Sequence, residues 1–307
     1  MLFICYNAKD KNEKIISEDM KYPLVTIITP TYNRVSFLEE TILSVLNQNY
    51  PSIEYIVLDD GSTDKSLEVI KKFKDKVIWE SHVNIGEVKT VNKGFSMVHG
   101  DIITVVNSDD PLLPNAVSSM VDVFKNNPKI IVTYPDWVKI NEKGKEMEKI
   151  RTPEYNYEYM LRNHDNITGP GTFFRKDILK MLKGRDTQFK YVSDYDFWLR
   201  AGLLGPFMRV PKILATSRVH KGQLTFKDKG YKMAMEHIRV INKLFSLPGL
   251  PESVKKNKTE AYAKACEAAR ICRGESFATK VFIFFVTLYY NPSYLKELIA
   301  YRFSKIR

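Results

Sequence analysis

Two carboxylates stand side by side in Asn107-Ser108-Asp109-Asp110-Pro111, directly after the apolar stretch Ile102–Val106. A strand that stops there leaves both acids in a loop at the edge of a sheet. Neighbouring carboxylates suit a hard cation such as Mg²⁺ or Mn²⁺, which takes oxygen ligands and shares them with substrate phosphates. The plainer alternative is an Asp-Asp-Pro turn that caps the next helix. A second acidic loop, Asp59-Asp60-Gly61-Ser62-Thr63-Asp64, follows Ile53–Leu58. Its carboxylates can accept hydrogen bonds from a base N–H or from ribose hydroxyls, or it can be a turn with a helix cap at Thr63 or Asp64. Pro30-Thr31-Tyr32-Asn33-Arg34 closes the stretch Leu24–Thr29 and adds an aromatic face able to stack on a base. Later in the chain Asp194 leads a helical segment, Ser193–Arg200, whose Phe197 and Trp198 face a core; a plain N-cap is the alternative there.

These residues need a frame that gathers strand ends. Leu24–Thr29 is rich in β-branched residues and stops at Pro30, which predicts a buried strand. Ser36 and Glu39 have the spacing of a capping box, and Leu38, Ile42, Val45 and Leu46 then recur at helical spacing up to the Asn49-Tyr50-Pro51 break. The cycle repeats: strand at Ile53–Leu58, helix through Lys72, strand at Val77–Glu80, helix marked by Val88, Val91, Phe95 and Val98. Strand Ile102–Val106, helix Val117–Phe124 and strand Ile130–Tyr134 complete it. Alternating strands and helices predict a mainly parallel sheet with right-handed crossovers. In such sheets ligands bind beyond the carboxyl ends of the strands, where the polar loops collect. After about residue 135 the alternation weakens into a mixed region with a Gly169-Pro170-Gly171 turn and a short strand ending at Arg175, and from about 228 the pattern is helical.

The ordered succession of Pro30-Thr31-Tyr32-Asn33-Arg34, Asp59 to Asp64, Asn92-Lys93-Gly94, Gly100-Asp101 and Asn107-Ser108-Asp109-Asp110 resembles the nucleotide-sugar-binding half of family 2 glycosyltransferases with the GT-A fold. The resemblance covers roughly residues 24 to 222. It implies an α/β architecture with a mainly parallel central sheet flanked by helices and a helical C-terminal region. The expected division is an N-terminal extension at 1–23, a catalytic domain at 24–225 (donor half 24–135, acceptor half 136–225) and helices at 226–307. The donor site it implies comprises Pro30, Thr31, Tyr32, Arg34, Asp59, Asp60, Lys89, Asn92, Ser108 and Asp109. Within it Pro30 and Tyr32 line the base pocket, Asp60 holds the base, and Asp109 binds a Mn²⁺ or Mg²⁺ that bridges the diphosphate. Asp110 and His220 are the further metal candidates, His220 lying in Arg218-Val219-His220-Lys221-Gly222-Gln223, which resembles a segment that closes over the diphosphate in relatives. Where the family often has Asp-x-Asp in the metal loop, this chain has Asn107 at the first position. Asp194 takes the place of the family's general base, preceded by Ser193 instead of Glu. Glu87 and Lys89, beside Gly86, also approach the donor on this reading.

The activity implied is inverting transfer of a sugar, UDP-linked first of all, to a glycan or lipid-linked acceptor in polysaccharide, lipopolysaccharide or other cell-surface glycan synthesis. A nucleotide-sugar-binding module without turnover would keep Tyr32 and Asp60 but tolerate loss of Asp109 or Asp194, and both are present. A dinucleotide-binding oxidoreductase would want Gly-x-Gly-x-x-Gly after the first strand, where Pro-Thr-Tyr-Asn-Arg stands.

Over 307 residues the net charge is +11, which favours anionic partners without choosing among them; no nucleic-acid recognition motif accompanies it. Residues 251–307 hold eleven Lys and Arg against five Glu. There Leu295, Leu298, Ile299, Phe303 and Ile306 fall at helical spacing beside basic residues, a pattern that predicts an in-plane helix on an anionic membrane surface or packing on protein. The apolar run Val281–Tyr290 is about half of a membrane span. Cys5, Cys266 and Cys272 are too few and too badly spaced for a disulfide framework or zinc site. With no signal-peptide pattern at the start, the expected location is the cytoplasm, peripheral at the inner face of the membrane.

Overall fold

A computed structural model describes residues 22–223 and 231–271, together with 281, 284, 285, 288 and 289. Of the expected extension at 1–23 all but Tyr22 and Pro23 lies outside the described residues, as does the apolar stripe from Leu295 to Ile306.

Strand β1 (Val25–Thr31) is buried along its whole length, which explains an apolar run without polar alternation: both of its faces are covered. It lies between β2 (Ile53–Asp59) and β4 (Ile102–Val105), parallel to both, and β3 (Ile78–Ser81) extends the parallel part beyond β2. The crossovers are α1 (Leu38–Leu46), α2 (Ser66–Lys71) and α3 (Glu87–Ser96), with α4 (Ala116–Asn126) after β4. Register places Thr31 beside Asp59, so the first two polar loops leave the sheet at one level.

The second half is more sheet than its sequence suggests. Strand β5 (Val132–Ile140) continues well past Tyr134. Along one edge it pairs in parallel with the twelve-residue β8 (Phe207–Arg218); along the other it meets β7 (Phe173–Arg175) near its start and β6 (Glu146–Ile150) near its end, both antiparallel. Pro135 and Asp136 lie where the β5–β8 register shifts, so the residues that seem to end a strand mark an irregularity inside one. Short β7 bridges β4 and β5, running against both, and joins the halves into one eight-stranded sheet. Helices α5 (Tyr157–Arg162), α6 (Asp177–Leu182) and α7 (Ser193–Gly202) belong to this half.

After it come α8 (Tyr231–Phe245), α9 (Glu252–Lys255) and α10 (Lys258–Ile271). Val240, Ile241 and Leu244 of α8 and Ala261, Tyr262 and Ala265 of α10 share one core with Ile28, Phe95, Phe174 and Phe197. These helices therefore complete one face of the central sheet. The other face buries Val25, Ile27 and Val57 against Leu38 and Ile42 of α1 and Val117 and Met120 of α4. Among the described residues no helix is long and apolar enough to cross a membrane.

The capping box at Ser36 and Glu39 does not form. Helix α1 starts at Leu38, its N-cap residue Phe37 makes no side-chain cap bond, and Glu39 instead meets Lys72 at 3.0 Å. The amides of Phe37 and Leu38 already bond the carbonyl of Arg34, so the turn is closed by backbone. Gly94 has a different task from turn formation: a Cβ there would lie 2.6 Å from Ile28 Cγ2, so its hydrogen lets α3 settle on β1.

Candidate active site

The loops after β1 and β2 are held to each other by side chains that reach across. Asn33, at φ +53, accepts the amides of Thr63 and Asp64 on its Oδ1 at 2.8 and 3.2 Å, while its own amide donates to Ser62 Oγ at 2.9 Å. The Arg34 amide donates to Ser66 Oγ and that of Val35 to Asp64 Oδ2. Bonds from Ser66 and Val35, with Arg34 nearby, outweigh the burial of Asp64 and hold its carboxyl below the usual range.

Asp59 and Asp60 are both buried, and both oxygens of each are used within the protein. Asp59 accepts the Ser62 amide at 3.2 Å and the Ser81 hydroxyl at 2.7 Å. Asp60 accepts the amides of Ile85 at 2.7 Å and Gly86 at 3.0 Å, which shapes the loop between β3 and α3. Around this floor Tyr32, Val83 and Ile85 remain exposed on loops leaving β1 and β3. Pro30 and Thr31 form the end of β1 beneath them, with the Thr31 hydroxyl buried and without a hydrogen-bond partner. An aromatic ring and apolar tips above buried carboxylates make a surface on which a planar base can lie.

The loop after β4 separates its two acids. Asp109 Oδ2 receives Arg34 Nε at 3.0 Å and His220 Nε2 at 2.8 Å. Asp110 turns the other way: its oxygens accept the Arg218 amide at 2.7 Å and the Asn107 side-chain amide at 3.1 Å, so it braces the loop on β8. Burial, with the charge of Asp109 added, pushes the Asp110 carboxyl up to about 7. Ser108 is buried, its carbonyl accepting the Thr41 hydroxyl.

Arg218 is fully buried and threads the site from beneath. Nε donates to the Asp109 carbonyl, Nη1 to the carbonyls of Asn141 and Glu142, and Nη2 meets Glu40 at 2.6 Å, with the Phe37 ring 4.9 Å from the guanidinium. The rest of that motif folds over the loop: the His220 ring packs at a tilt of 52° against Phe37, its Nδ1 accepts the Gly222 amide, and the Gly222 carbonyl accepts Arg34 Nη2.

Asp109 and His220 are thus the predicted ligands that the fold brings together. Their 2.8 Å contact is close to the spacing of two neighbouring ligands on a small divalent ion about 2.1 Å from each. Among the described residues no three His, Cys, Asp or Glu side chains gather into a cage. The Asp109 carboxylate fits a cation whose remaining ligands are phosphate oxygens and water, the usual manner of Mg²⁺; His220 would join it through Nε2 once the ring proton that Nε2 gives to Asp109 moves to Nδ1 and the Gly222 amide releases that nitrogen.

Opposite this loop stands Asp194 in the first turn of α7. One oxygen accepts the amide of Tyr195 at 2.8 Å and the other accepts Asn166 Nδ2 at 2.8 Å; Asn166 is held in turn by the Thr168 hydroxyl at 2.7 Å. Between the two walls lies a cavity of about 230 Å³, lined by Asn107, Asp110, Asn166, Arg185, Asp194 and Trp198 among others. It is smaller than the usual pocket of about 300–1,000 Å³ for a whole ligand and has the scale of one sugar ring.

Asn92 and Lys89, also predicted at the donor, both lie on α3. Asn92 spends its side chain on the backbone of Arg185, accepting its amide and donating to its carbonyl, both at 2.8 Å. It carries Arg185 to the cavity, where Nη1 comes within 3.5 Å of Glu87. Lys89 is exposed on α3. Arg185, Asn166 and the buried role of Arg218 escape sequence reasoning: the first two sit in no motif, and Arg218 reads as part of a loop over the diphosphate.

The model of the family described as Glycosyl transferase family 2 matches residues 26–183, just over half of the chain. An uncharacterized glycosyltransferase of Rickettsia typhi is 29% identical over 217 residues, covering 66% of this chain and 66% of that protein. The match thus spans about two thirds of the relative's length. Among solved structures, S. aureus TarS 1–349 in complex with UDP-GlcNAc superposes with a TM-score of 0.62 at 15% identity, over 89% of this chain and 92% of that one. The mannosyltransferase PcManGT from Pyrobaculum calidifontis, in complex with GDP-Man and Mn²⁺, gives 0.58 at 17% identity, over 89% and 82%. At these identities the superpositions speak for the fold: a mostly parallel sheet flanked by helices, of GT-A type. The family match falls on the strands and loops that build the cleft, and with it the chain belongs to glycosyltransferase family 2.

Proposed function

We propose that this chain transfers a sugar from a nucleotide-diphosphate donor, a UDP-sugar first of all, to an acceptor hydroxyl with inversion at the anomeric carbon. The base lies against Tyr32 above Asp60, the diphosphate passes Asp109, and the sugar occupies the cavity in front of Asp194. Asp194 takes the proton from the acceptor hydroxyl, whose oxygen attacks the anomeric carbon as the bond to the diphosphate oxygen breaks. One displacement inverts the centre, and the nucleotide diphosphate leaves with the bonding electrons. Asp109 and His220 would hold Mn²⁺ or Mg²⁺, which when bound neutralises the leaving phosphate oxygens. Asn166 keeps the carboxylate turned toward the cavity, and Arg218 keeps the Asp109 loop at its level.

The observation that carries this reading is the 230 Å³ cavity walled by Asp194 on one side and the Asn107–Asp110 loop on the other. A UDP-sugar in one structural neighbour and Mn²⁺ in another support the donor and the ion. The acceptor is a glycan or lipid-linked hydroxyl, and the net charge of +11 supports work at an anionic membrane surface. The experiment is a screen of UDP-, GDP- and dTDP-sugars with Mn²⁺ on the wild type and on Asp194→Asn. The variant should bind nucleotide diphosphate like the wild type in calorimetry and turn over at least about a hundredfold more slowly, the usual scale for a general base. Full turnover with Asn at 194 removes this residue from the chemistry. Binding without turnover in the wild type would make the chain a nucleotide-sugar-binding module.

A further inference from the structure

Helix α8 presents polar side chains to the protein where apolar ones would give ordinary packing. Glu236 is 6% exposed, and its two oxygens accept the backbone amides of Lys190 at 2.9 Å and Tyr191 at 2.7 Å. Those two residues lie just ahead of the turn that carries Asp194. The next residue, His237, meets His164 through Nδ1 and Nε2 at 2.7 Å. His164 is itself constrained, at φ +49 and with its ring 4.5 Å from that of Tyr195. Two residues further along that loop, Asn166 donates to Asp194. Lys243, two turns on, meets Asp186 at 2.7 Å and Asp196 at 2.6 Å, the latter in the same first turn of α7. Both chain segments that fix the Asp194 carboxylate are therefore tied to adjacent residues of one helix turn.

Polar groups taken out of water cost stability unless each finds a partner, and apolar residues would cover the same surface without that demand. Here the partners are the loops on either side of one carboxylate. The imidazole pair also has a defined direction. Burial lowers His164 to about 3 and His237 to about 4, so both rings are neutral around pH 7. His164 Nδ1 is buried without a partner. An unmet acceptor is less costly than an unmet N–H, so Nε2 of His164 carries the proton and donates to His237 Nδ1.

We propose that α8 is the positioning element of the acceptor side, with Glu236 and His237 as positioning residues that set where Asp194 stands. The inference rests on Asp194 being the base. In a displacement of this kind, an error of about 1 Å in a reacting group can cost on the order of a hundredfold in rate, so a contact remote from substrate can govern turnover.

The test uses the full chain with His237→Phe, His237→Asn, Glu236→Gln and Asp194→Asn. Hydrolysis of UDP-GlcNAc with Mn²⁺ gives kcat and KM, water standing for the acceptor; UDP affinity comes from calorimetry. Hydrogen exchange is followed in residues 160–168 and 188–196. The Phe variant keeps the ring volume without the hydrogen bond. It should lower kcat by about tenfold or more, leave KM and UDP affinity within about twofold, and lose protection in those two segments alone. Asn offers both a donor and an acceptor near the lost nitrogen and should recover most of kcat. Should the Phe variant fail to fold, Glu236→Gln is read in its place with the same split between kcat and KM. Wild-type kcat in the Phe variant, or a joint loss of kcat and UDP affinity, overturns the positioning role. If Asp194→Asn hydrolyses UDP-GlcNAc like the wild type, or the wild type does not hydrolyse it, the reading of Asp194 or of the donor fails. Exchange in the two segments then decides the tether by itself: unchanged protection in His237→Phe overturns it.

Discussion

Replacing Arg218 by Met keeps the length of a long side chain in its tunnel and removes every donor from it. Four acceptors lose their partner: the carbonyls of Asp109, Asn141 and Glu142, and the Glu40 carboxylate. Their losses are unequal. Glu40 is 53% exposed and keeps its water, so its share is about 0–1 kcal/mol. The carbonyls of Asn141 and Glu142 belong to a turn at the surface, whereas that of Asp109 lies inside and stays unmet at about 1–3 kcal/mol. The contact with Phe37 adds up to about 2 kcal/mol for a desolvated cation on a ring. Against this, Met escapes the desolvation of a buried charge, which in other proteins offsets much of the loss. The net expectation is a loss of about 2–4 kcal/mol, or roughly 5–12 °C in Tm for a chain of this size. Asp109 also loses the anchor of its own carbonyl, so Mn²⁺ affinity in the presence of UDP should fall by about tenfold or more, the scale seen when groups supporting a metal ligand are removed. Thermal unfolding and a Mn²⁺ titration read the two effects. A variant that melts within 2 °C of wild type, on the order of half a kcal/mol, with Mn²⁺ affinity intact, would refute the idea that Arg218 holds the loop.

The buried imidazole pair makes stability depend on pH in a defined direction. Since His164 and His237 titrate at about 3 and about 4 in the folded chain, below the ordinary value of 6.5, the unfolded chain binds protons between about 4 and 6.5 that the native one does not. Stability therefore falls as pH drops through that window, by up to about 1.4 kcal/mol per unit for each ring. Asp110, raised to about 7, acts in the opposite sense over the same window, so the pair is read as a difference: from pH 6.5 to 5 the urea midpoint of the wild type should fall relative to that of a His164→Phe/His237→Phe chain, and equal slopes in the two would count against it. Gly94→Ala should destabilise by about 1–3 kcal/mol despite the better helix propensity of Ala, because the new Cβ falls 2.6 Å from Ile28 Cγ2. Chemical denaturation measures it, and a neutral outcome would mean that α3 has room to move off β1.

What the sequence made legible follows from how local each cause is. The strands of the first half read clearly because β1, β2 and β4 are buried on both faces and need unbroken apolar runs, and their polar ends follow at once in the chain. Beyond Tyr134 the causes are no longer local. Asp136 looks like a strand breaker, yet Arg209, fixed by pairing of β8 with β5, bonds both of its oxygens. Those bonds and the ones from Thr152 outweigh burial and keep its carboxyl below the usual range. Strand β8 escapes notice because Pro211 and Lys212 interrupt its apolar positions. For the proposed site, motif spacing points to Asp109, His220 and Asp194, but it says nothing of which carboxylate oxygen faces a neighbour. Asp110 shows this most plainly: Asp109 meets Arg34 and His220, while Asp110 lines the cavity and at the same time accepts the Arg218 amide of β8. Arg185 and Asn166 reach the cavity only through Asn92 and through the loop ahead of Thr168, contacts that exist once the fold does.

The cross-bracing of the first two loops has a consequence for the thermodynamics of nucleotide capture. Asn33 engages Ser62, Thr63 and Asp64, and Asp60 fixes Ile85 and Gly86, all through hydrogen bonds internal to the chain. The conformational entropy of this cleft is therefore lost when the protein folds and not when the nucleotide arrives. A base bound there as proposed would meet loops already braced, so its binding heat would report contact and released water with little contribution from loop ordering. On the proposed reading, discrimination among nucleotides would fall to the exposed side chains of Tyr32, Val83 and Ile85 above that braced floor.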